Sequence, residues 1–381
     1  MGARVRVVDR IAEIPATVWN GLTQAAGGER NPSISHAFLA AMEDSGCVGG
    51  KTGWVPQHVV LEEDGAITGV APCYLKSHSM GEYVFDHGFA DAFHRAGGRY
   101  YPKLQVSVPF SPVPGPRLLA ATDDRKQLLA EGLKTLARDL GASSVHITFE
   151  PEQDWRLLRG AGFLQRQDIQ FHWHNQGYGS FQDFLAALSS SKRKNIRKER
   201  EAVAARGITF EHATGAALTT AHWDHFYRFY MDTSSRKWGK PYLNRAFFAR
   251  IHETMADDVL LVLAKRDDKV IAGALNLVGS DRLYGRNWGC VEDHPFLHFE
   301  TCYYQAIDFA IARGLKIVEA GAQGEHKLAR GYLPVKTYSS HHFVHAGLAR
   351  AVDDYLASER AAVDENSEIL SKHSPFRVER E

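Results

Sequence analysis

Hydrophobic and polar positions along the chain run in two periods, and the order in which those periods follow one another occurs twice. Residues 62–76, EEDGAITGVAPCYLK, read as strand, tight turn and strand. Residues 265–279, KRDDKVIAGALNLVG, read the same way, with Gly69 matching Gly273. A helical period follows at 123–140 and again at 299–313. Each is closed by a glycine, Gly141 or Gly314, and leads into a short strand, SSVHITFE or LKIVEAG. GAGFLQRQDIQFHWHN (160–175) and ARGYLPVKTYSSHHF (329–343) then each pass from a glycine and an aromatic into a long strand. Three blocks in one order, separated by loops of unequal length, predict two diverged copies of one domain.

Between the copies, 181–207 carries Phe181, Phe184, Leu185 and Leu188 at helical spacing, with Gly207 as a C-cap before the strand ITFEH. AHWDHFYRFYMDTSSRKWG and NRAFFARIHETMA read as two further helices separated by Gly239, Lys240 and Pro241. Gly177 and Gly179 punctuate the chain between the copies, so the expected modules are 1–178 and 179–381.

Composition narrows the class. The 381 residues are 44% hydrophobic and 24% charged, with 45 basic side chains against 45 acidic ones. This balance excludes a disordered chain and a surface coated in positive charge, and confines any polyanion site to one region. The four cysteines form no C-x-x-C pair, which argues against a disulfide framework or thiolate zinc site and fits a reducing, cytoplasmic setting. Arg4, Arg6, Asp9 and Arg10 interrupt any signal-peptide apolar region, and no uncharged stretch approaches the roughly 20 residues that span a bilayer, so no membrane insertion is expected. Nineteen histidines include His172 and His174 on one strand face, but no H-E-x-x-H motif or carboxylate-flanked trio completes a ligand set, and no metal is expected. The G-x-S-x-G elbow is absent as well.

The second half, through NIRKEREAVAARGITFE, FYRFYMDTSSRKWG, VLLVLAKRDDKVIAGALNLVGSDRLYGRNWG and ARGLKIVEAGA, resembles the Fem-type tandem GNAT-fold acyltransferases. EAGAQGEHKLARGY (319–332) is similar to a distinctive string of the bacterial branch linked to peptidoglycan biosynthesis or recognition. In the first half, PFSPVPGPRLL (109–119) resembles the Pro-x-Gly-Pro turn of a Fem first domain. The resemblance implies an α+β fold of two tandem GNAT-like modules, each a twisted mixed β-sheet flanked by helices. It also implies acyl or aminoacyl transfer to an amine by direct attack, with aminoacyl-tRNA or acyl-CoA as co-substrate and no tightly bound cofactor. An acetyl-CoA-dependent GNAT presents a glycine-rich loop whose N–H groups cradle the pyrophosphate. Here the corresponding stretch, CVEDHPFLHFET (290–301), has no glycine, and Pro295 removes a donor, which disfavours acyl-CoA. An acyl-CoA-dependent N-acetyltransferase and a non-catalytic recognition module on the same scaffold are the alternative readings.

Candidate chemistry gathers in the second half. GAQGEHKLARGY packs Gln323, Glu325, His326, Lys327 and Arg330 after a buried-type strand. An attacking amine must lose a proton, so Glu319, Glu325 and His326 are candidate bases, and Lys327 is a candidate stabiliser of the developing oxyanion. On the strand 284–290, Arg286 requires an anionic partner and alternation places it with Trp288 and Cys290 on one face. His298 opens the following helix. Arg236, Trp238 and Tyr242 on SSRKWGKPY form a candidate substrate clamp. Lys192, Arg193, Lys194, Arg197, Lys198 and Arg200, opposed only by Glu199 and preceded by three serines, form a candidate polyanion site, of which the first four are the foremost phosphate ligands for tRNA or a diphosphate-linked acceptor. Tyr101, Lys103 and Gln105 are the expected contribution of the first module to the substrate cleft.

Overall fold

The computed structural model describes residues 2–237, 241–321 and 324–377, with the side chains of 235–237 and 325 outside the description. Two compact units result. One comprises Met1–Ile169 with Lys336–Asn366, the other Gln170–Val335 with Ser367–Glu381.

In the first unit, Arg4–Val8, His58–Glu63, Ala66–Ala71 and Leu119–Ala120 form an antiparallel sheet in that spatial order. Pro72 lacks an N–H for a ladder, and after it the chain continues as Cys73–Lys76, which pairs with Trp54–Pro56 on one side and Lys103–Val106 on the other. Lys103–Val106 runs parallel to Ser144–Glu150 through three pairs, Leu104 with Val145 to Val106 with Ile147. The crossover helix Asp123–Asp139 is capped by the Thr122 side chain, which accepts from the Arg125 N–H, and carries Asp123 and Asp124 in its first turn where the helix dipole favours negative charge. Its apolar face, with Leu129 and Leu133, seals a core of Val59, Leu61, Leu104, Val106, Val145 and Ile147.

The second unit repeats the plan. Thr209–Thr214, Val259–Arg266, Lys269–Val278 and Arg282–Cys290 form an antiparallel meander. The last strand is parallel to Ile317–Glu319 through three pairs, after a crossover helix made of Leu297–Phe299, a π-helical turn Glu300–Tyr304 and Gln305–Ala312. Both units are therefore GNAT-like modules of α+β class, each a mixed sheet with flanking helices. Gly69 and Gly273 play similar parts: a Cβ would lie 3.1 Å from Leu129 in one unit and 3.1 Å from Leu263 in the other.

The division differs from a single cut after 178, because the last strand of each sheet comes from the opposite half of the sequence. Ser144–Glu150 pairs with Tyr338–Phe343, and Ile317–Glu319 pairs with His172–His174. A strand's alternation states which face is buried but not which neighbour it pairs with, and this exchange carries no local signal. The segment 181–207 is likewise two helices, Phe181–Ala187 and Ser190–Ala204. Leu188 is extended and fully buried, bridged to Phe376, and the Ser189 N–H donates to the Pro375 carbonyl, so this backbone is committed to pairing. Ser189 holds the N-cap position without a side-chain capping bond. Among the described residues, no helix is long and apolar enough to cross a membrane.

The helix Thr220–Lys237 lies directly on strand Arg282–Cys290, where a Cβ on Gly289 would fall 2.3 Å from the Phe229 carbonyl oxygen. Gly289→Ala must push backbone from backbone, so it should destabilise by about 1–3 kcal/mol or more, read as a lowered urea midpoint at unchanged slope. A wild-type midpoint would show that the helix yields without cost.

Candidate active site at the parting of two parallel strands

Arg282–Cys290 and Ile317–Glu319 pair only as far as Tyr284 and Glu319. Beyond that point Gly285 still lies close to the partner strand, since a Cβ there would sit 3.1 Å from the Glu319 carbonyl oxygen, and then the strands part. The opening is sharpened by a bulge: Asn276 faces Gly285 while Leu275 faces Asn287, which leaves Arg286 as the extra residue. Arg286 thereby opposes no residue of the neighbouring strand. A cavity of about 110 Å³ occupies the opening, lined among others by Gly285, Arg286, Asn287, His298, Cys302, Tyr303 and Ala320. Trp288 and His298 also line an adjoining cavity of about 290 Å³ that extends along Glu292–Phe299.

The loop after the second strand contains a short helix, Glu325–Arg330. His326 is exposed, and its Nε2 lies 2.9 Å from the Tyr303 hydroxyl. Its ring is 5.5 Å from Phe299 and 6.4 Å from His298, centroid to centroid. Gly324, at φ +118°, is required here, because a Cβ would lie 2.4 Å from His326 Cε1. Although much of the residue meets solvent, partial desolvation of the ring, then the Arg330 and Lys327 charges, hold the imidazole below its usual range, so it is neutral near pH 7. Burial pushes the Tyr303 hydroxyl up, which keeps it a donor.

Lys327 is buried and donates to the Gly321 carbonyl at 2.8 Å. Burial lowers its ammonium to about 8, against a smaller opposing effect from the Cys302 thiol. Arg330 lies 3.4 Å above the Phe299 ring centroid, donates from Nη1 to the His326 carbonyl at 2.8 Å, and meets Glu199 through Nη2 at 2.7 Å and Nε at 3.2 Å. The Tyr304 hydroxyl donates to the same Glu199 carboxylate.

Arg286 and His298 thus line the opening, and the turn carrying His326, Lys327 and Arg330 meets its surroundings through Tyr303 and Phe299. Glu319, the last paired residue before the opening, is buried, and its carboxylate is held by Arg282 Nη1 at 3.1 Å. Gln323 and Trp238, and the side chains of Glu325 and Arg236, lie outside the described residues. Tyr242 is half-buried, with its hydroxyl raised by burial. Lys103 belongs to the first unit and differs from the expected cleft wall: it is fully buried, and its ammonium is held by Glu82 at 2.6 Å, by Ser79 at 2.9 Å and by Asp86. Gln105 is equally enclosed and donates to Thr148, while the Tyr101 hydroxyl meets Ser79. Lys192, Arg193, Lys194 and Arg197 stand exposed or half-exposed on the first turns of Ser190–Ala204. Arg197 donates to Gln182, and none of the four pairs with a carboxylate among the described residues.

Cys302, Tyr303 and Phe299 escaped sequence reasoning. The π-helical turn Glu300–Tyr304 widens the helix there and alters which side chains face the opening, and no periodicity announces it. The aromatic-rich string PFLHFETCYY was the signal available. In the stretch before it, Glu292 is tied to His294 and Arg266, each at 2.9 Å, and Phe296 adopts φ +68° just before the helix.

Comparison with known proteins bears on this site. The profile of the FemAB-like family, described as peptidoglycan biosynthesis/recognition, matches residues 10–378. No curated protein matches the sequence. Among solved structures the chain is similar to FemX, at 11% identity and a TM-score of 0.58 over 93% of this chain and 100% of that one. It is also similar to the C-terminal domain of a putative lysylphosphatidylglycerol synthetase from Agrobacterium fabrum (10% identity, TM-score 0.54, 91% and 96% coverage). A third, L-PGS from Bacillus licheniformis, gives 11% identity and a TM-score of 0.52 over 87% and 98%. At these identities the likeness is one of fold.

A buried ammonium at about 8 is the most testable feature of the site. Followed by lysine-labelled heteronuclear NMR, Lys327 Nζ should titrate near pH 8, apart from the exposed lysines. A midpoint at the ordinary 10.5 would mean that the turn does not bury it.

Proposed function

The chain belongs to the FemAB-like family, and from that premise we propose that it transfers an aminoacyl or acyl group to an amine at the opening between strands Arg282–Cys290 and Ile317–Glu319. Membership supports acyl or aminoacyl transfer in general. The observation that carries the finer reading is the juxtaposition, on one turn, of a neutral imidazole hydrogen-bonded to Tyr303 and a buried cation, His326 and Lys327.

In this reading the acceptor amine loses its proton to His326 as its nitrogen bonds to the acyl carbon. Lys327 faces the negative charge that develops on the carbonyl oxygen; His326 takes the amine proton at Nδ1 while its Nε2–H donates to the Tyr303 oxygen, and the Tyr303 proton passes to the leaving oxygen as its bond to the acyl carbon breaks, Nε2 then restoring the tyrosine. A preorganised cation in a water-poor site is worth more than the same charge in solvent. The donor is an aminoacyl-tRNA: carboxylates and rings line the cavity where acyl-CoA would set its pyrophosphate, and the cations of Ser190–Ala204 offer a separate phosphate-binding surface. The acceptor is an amine-bearing peptidoglycan precursor, and the protein acts in the cytoplasm.

The test is transfer from a mixture of radiolabelled aminoacyl-tRNAs to a nucleotide-linked peptidoglycan precursor bearing a free amine, with acetyl-CoA as the competing donor. His326→Ala should reduce turnover by about a hundredfold to ten-thousandfold, as for loss of a general base. Lys327→Met should cost about a hundredfold to a thousandfold. Activity in the wild type should rise with pH as His326 loses its proton, below 6.5, and decline as Lys327 loses its own near 8. Undiminished turnover in both variants would reject the assignment. Transfer from acetyl-CoA alone would replace the donor.

Donor binding has its own signature. If Lys192, Arg193, Lys194 and Arg197 all meet phosphate, log affinity for tRNA should fall against log salt with a slope of about −3 to −4. Replacing all four by alanine should flatten that slope, and an unchanged slope would place the tRNA elsewhere.

A further inference from the structure

Glu199 is the one acidic residue within the basic run 192–200, and it faces the site rather than the solvent-exposed cations beside it. Its carboxylate takes two bonds from Arg330 and one from Tyr304. Arg330 uses its remaining guanidinium nitrogen on the His326 carbonyl and lays its plane on Phe299. The ion pair is mostly buried, with the two side chains 10% and 15% exposed, unlike the exposed pairs whose net contribution is small. Bidentate geometry adds direction to the charge. The far end of the turn is seated as well, since Gly331, at φ +91°, packs where a Cβ would come 2.6 Å from Phe184. The next residue, Arg200, ties the same basic helix to Glu300 at 3.0 Å and Asp308 at 2.7 Å on the crossover helix.

We infer that Glu199 is a positioning residue for the transfer reaction: through Arg330 it holds the His326–Lys327 turn against the crossover helix, so that the site is assembled only while the basic helix is docked. The inference rests on the function proposed above and adds a dependence that function does not require. Because the same helix displays Lys192, Arg193, Lys194 and Arg197, a phosphate-bearing substrate that engages those cations grips the element on which the turn depends. Glu199 touches no reacting atom in this arrangement, and its effect passes entirely through Arg330.

The experiment compares Glu199→Ala, Glu199→Gln and Arg330→Lys in the full chain, with the aminoacyl-tRNA mixture as donor and the precursor as acceptor. A displacement of about 1 Å at the turn costs about a hundredfold in rate, so Glu199→Ala should lose that much in kcat while KM for the donor moves little. Glu199→Gln, which retains an acceptor for Arg330 and Tyr304, should recover part of the loss. Arg330→Lys, which cannot bridge in two directions, should not. Independently of turnover, the His326 midpoint followed by NMR should move from its wild-type value in Glu199→Ala, as Arg330, whose charge helps to set it, loses the carboxylate that fixes its place. Wild-type kcat in Glu199→Ala, or an unmoved His326 midpoint, would overturn the inference. If the wild type transfers nothing with these substrates, the proposed function fails and the His326 titration alone decides whether Glu199 sets the turn.

Discussion

Parallel strands that pair for three residues and then part leave backbone groups and side chains facing a gap that the sheet cannot close. In the second unit that gap opens after Tyr284 and Glu319, and the rest of the site is arranged around it. The bulge at Arg286 lies in one wall, the π-helical turn at Glu300–Tyr304 brings Tyr303 and Cys302 to the other, and the turn 325–330 meets that second wall through the His326–Tyr303 hydrogen bond. Gly285 permits the close approach that immediately precedes the parting. Without the divergence, these residues would be separate features of a strand, a helix and a loop.

Charge in this turn is organised by burial. Lys327 is enclosed and donates to a carbonyl oxygen, and burial weakens its ammonium, whereas Arg330 keeps a full carboxylate partner in Glu199. The two cations on one turn are therefore held differently, Arg330 by a carboxylate and Lys327 by a carbonyl oxygen. This division agrees with the general contrast between a guanidinium, which suits fixed bidentate pairing, and an ammonium, whose protonation responds to its surroundings. The first unit has the same chain plan but invests its central polar residues in one another. Lys103 donates to Glu82, Asp86 and Ser79 in the interior, and burial drives His146 to about 3, so it remains neutral.

The basic run shows how one motif carries two roles. Read as a string it is a set of cations, and its first turns remain exposed as such. Its later residues are turned inward: Glu199 meets Arg330, and Arg200 lies 4.2 Å from the Phe181 ring centroid and reaches Glu300 and Asp308. Helical periodicity alone contains this result in outline, since positions three and four apart share a face. It does not say what lies opposite that face.

By itself the sequence determined the duplicated plan, because strand alternation, helical period and glycine punctuation are local and survive divergence: the blocks matched through Gly69 and Gly273, and through Gly141 and Gly314, are the same elements in both units. It also pointed to GAQGEHKLARGY, since so many proton-transferring groups beside two glycines form a local signal. Only the tertiary structure decided that the last strand of each sheet is supplied by the other half of the chain, that Glu319 is committed to Arg282 and Lys103 to Glu82 and Asp86, and that Tyr303 and Glu199 join His326. Those pairings link residues far apart along the chain. Which buried charge meets which partner is a property of packing, and a periodic pattern specifies the face a residue presents without specifying its neighbour.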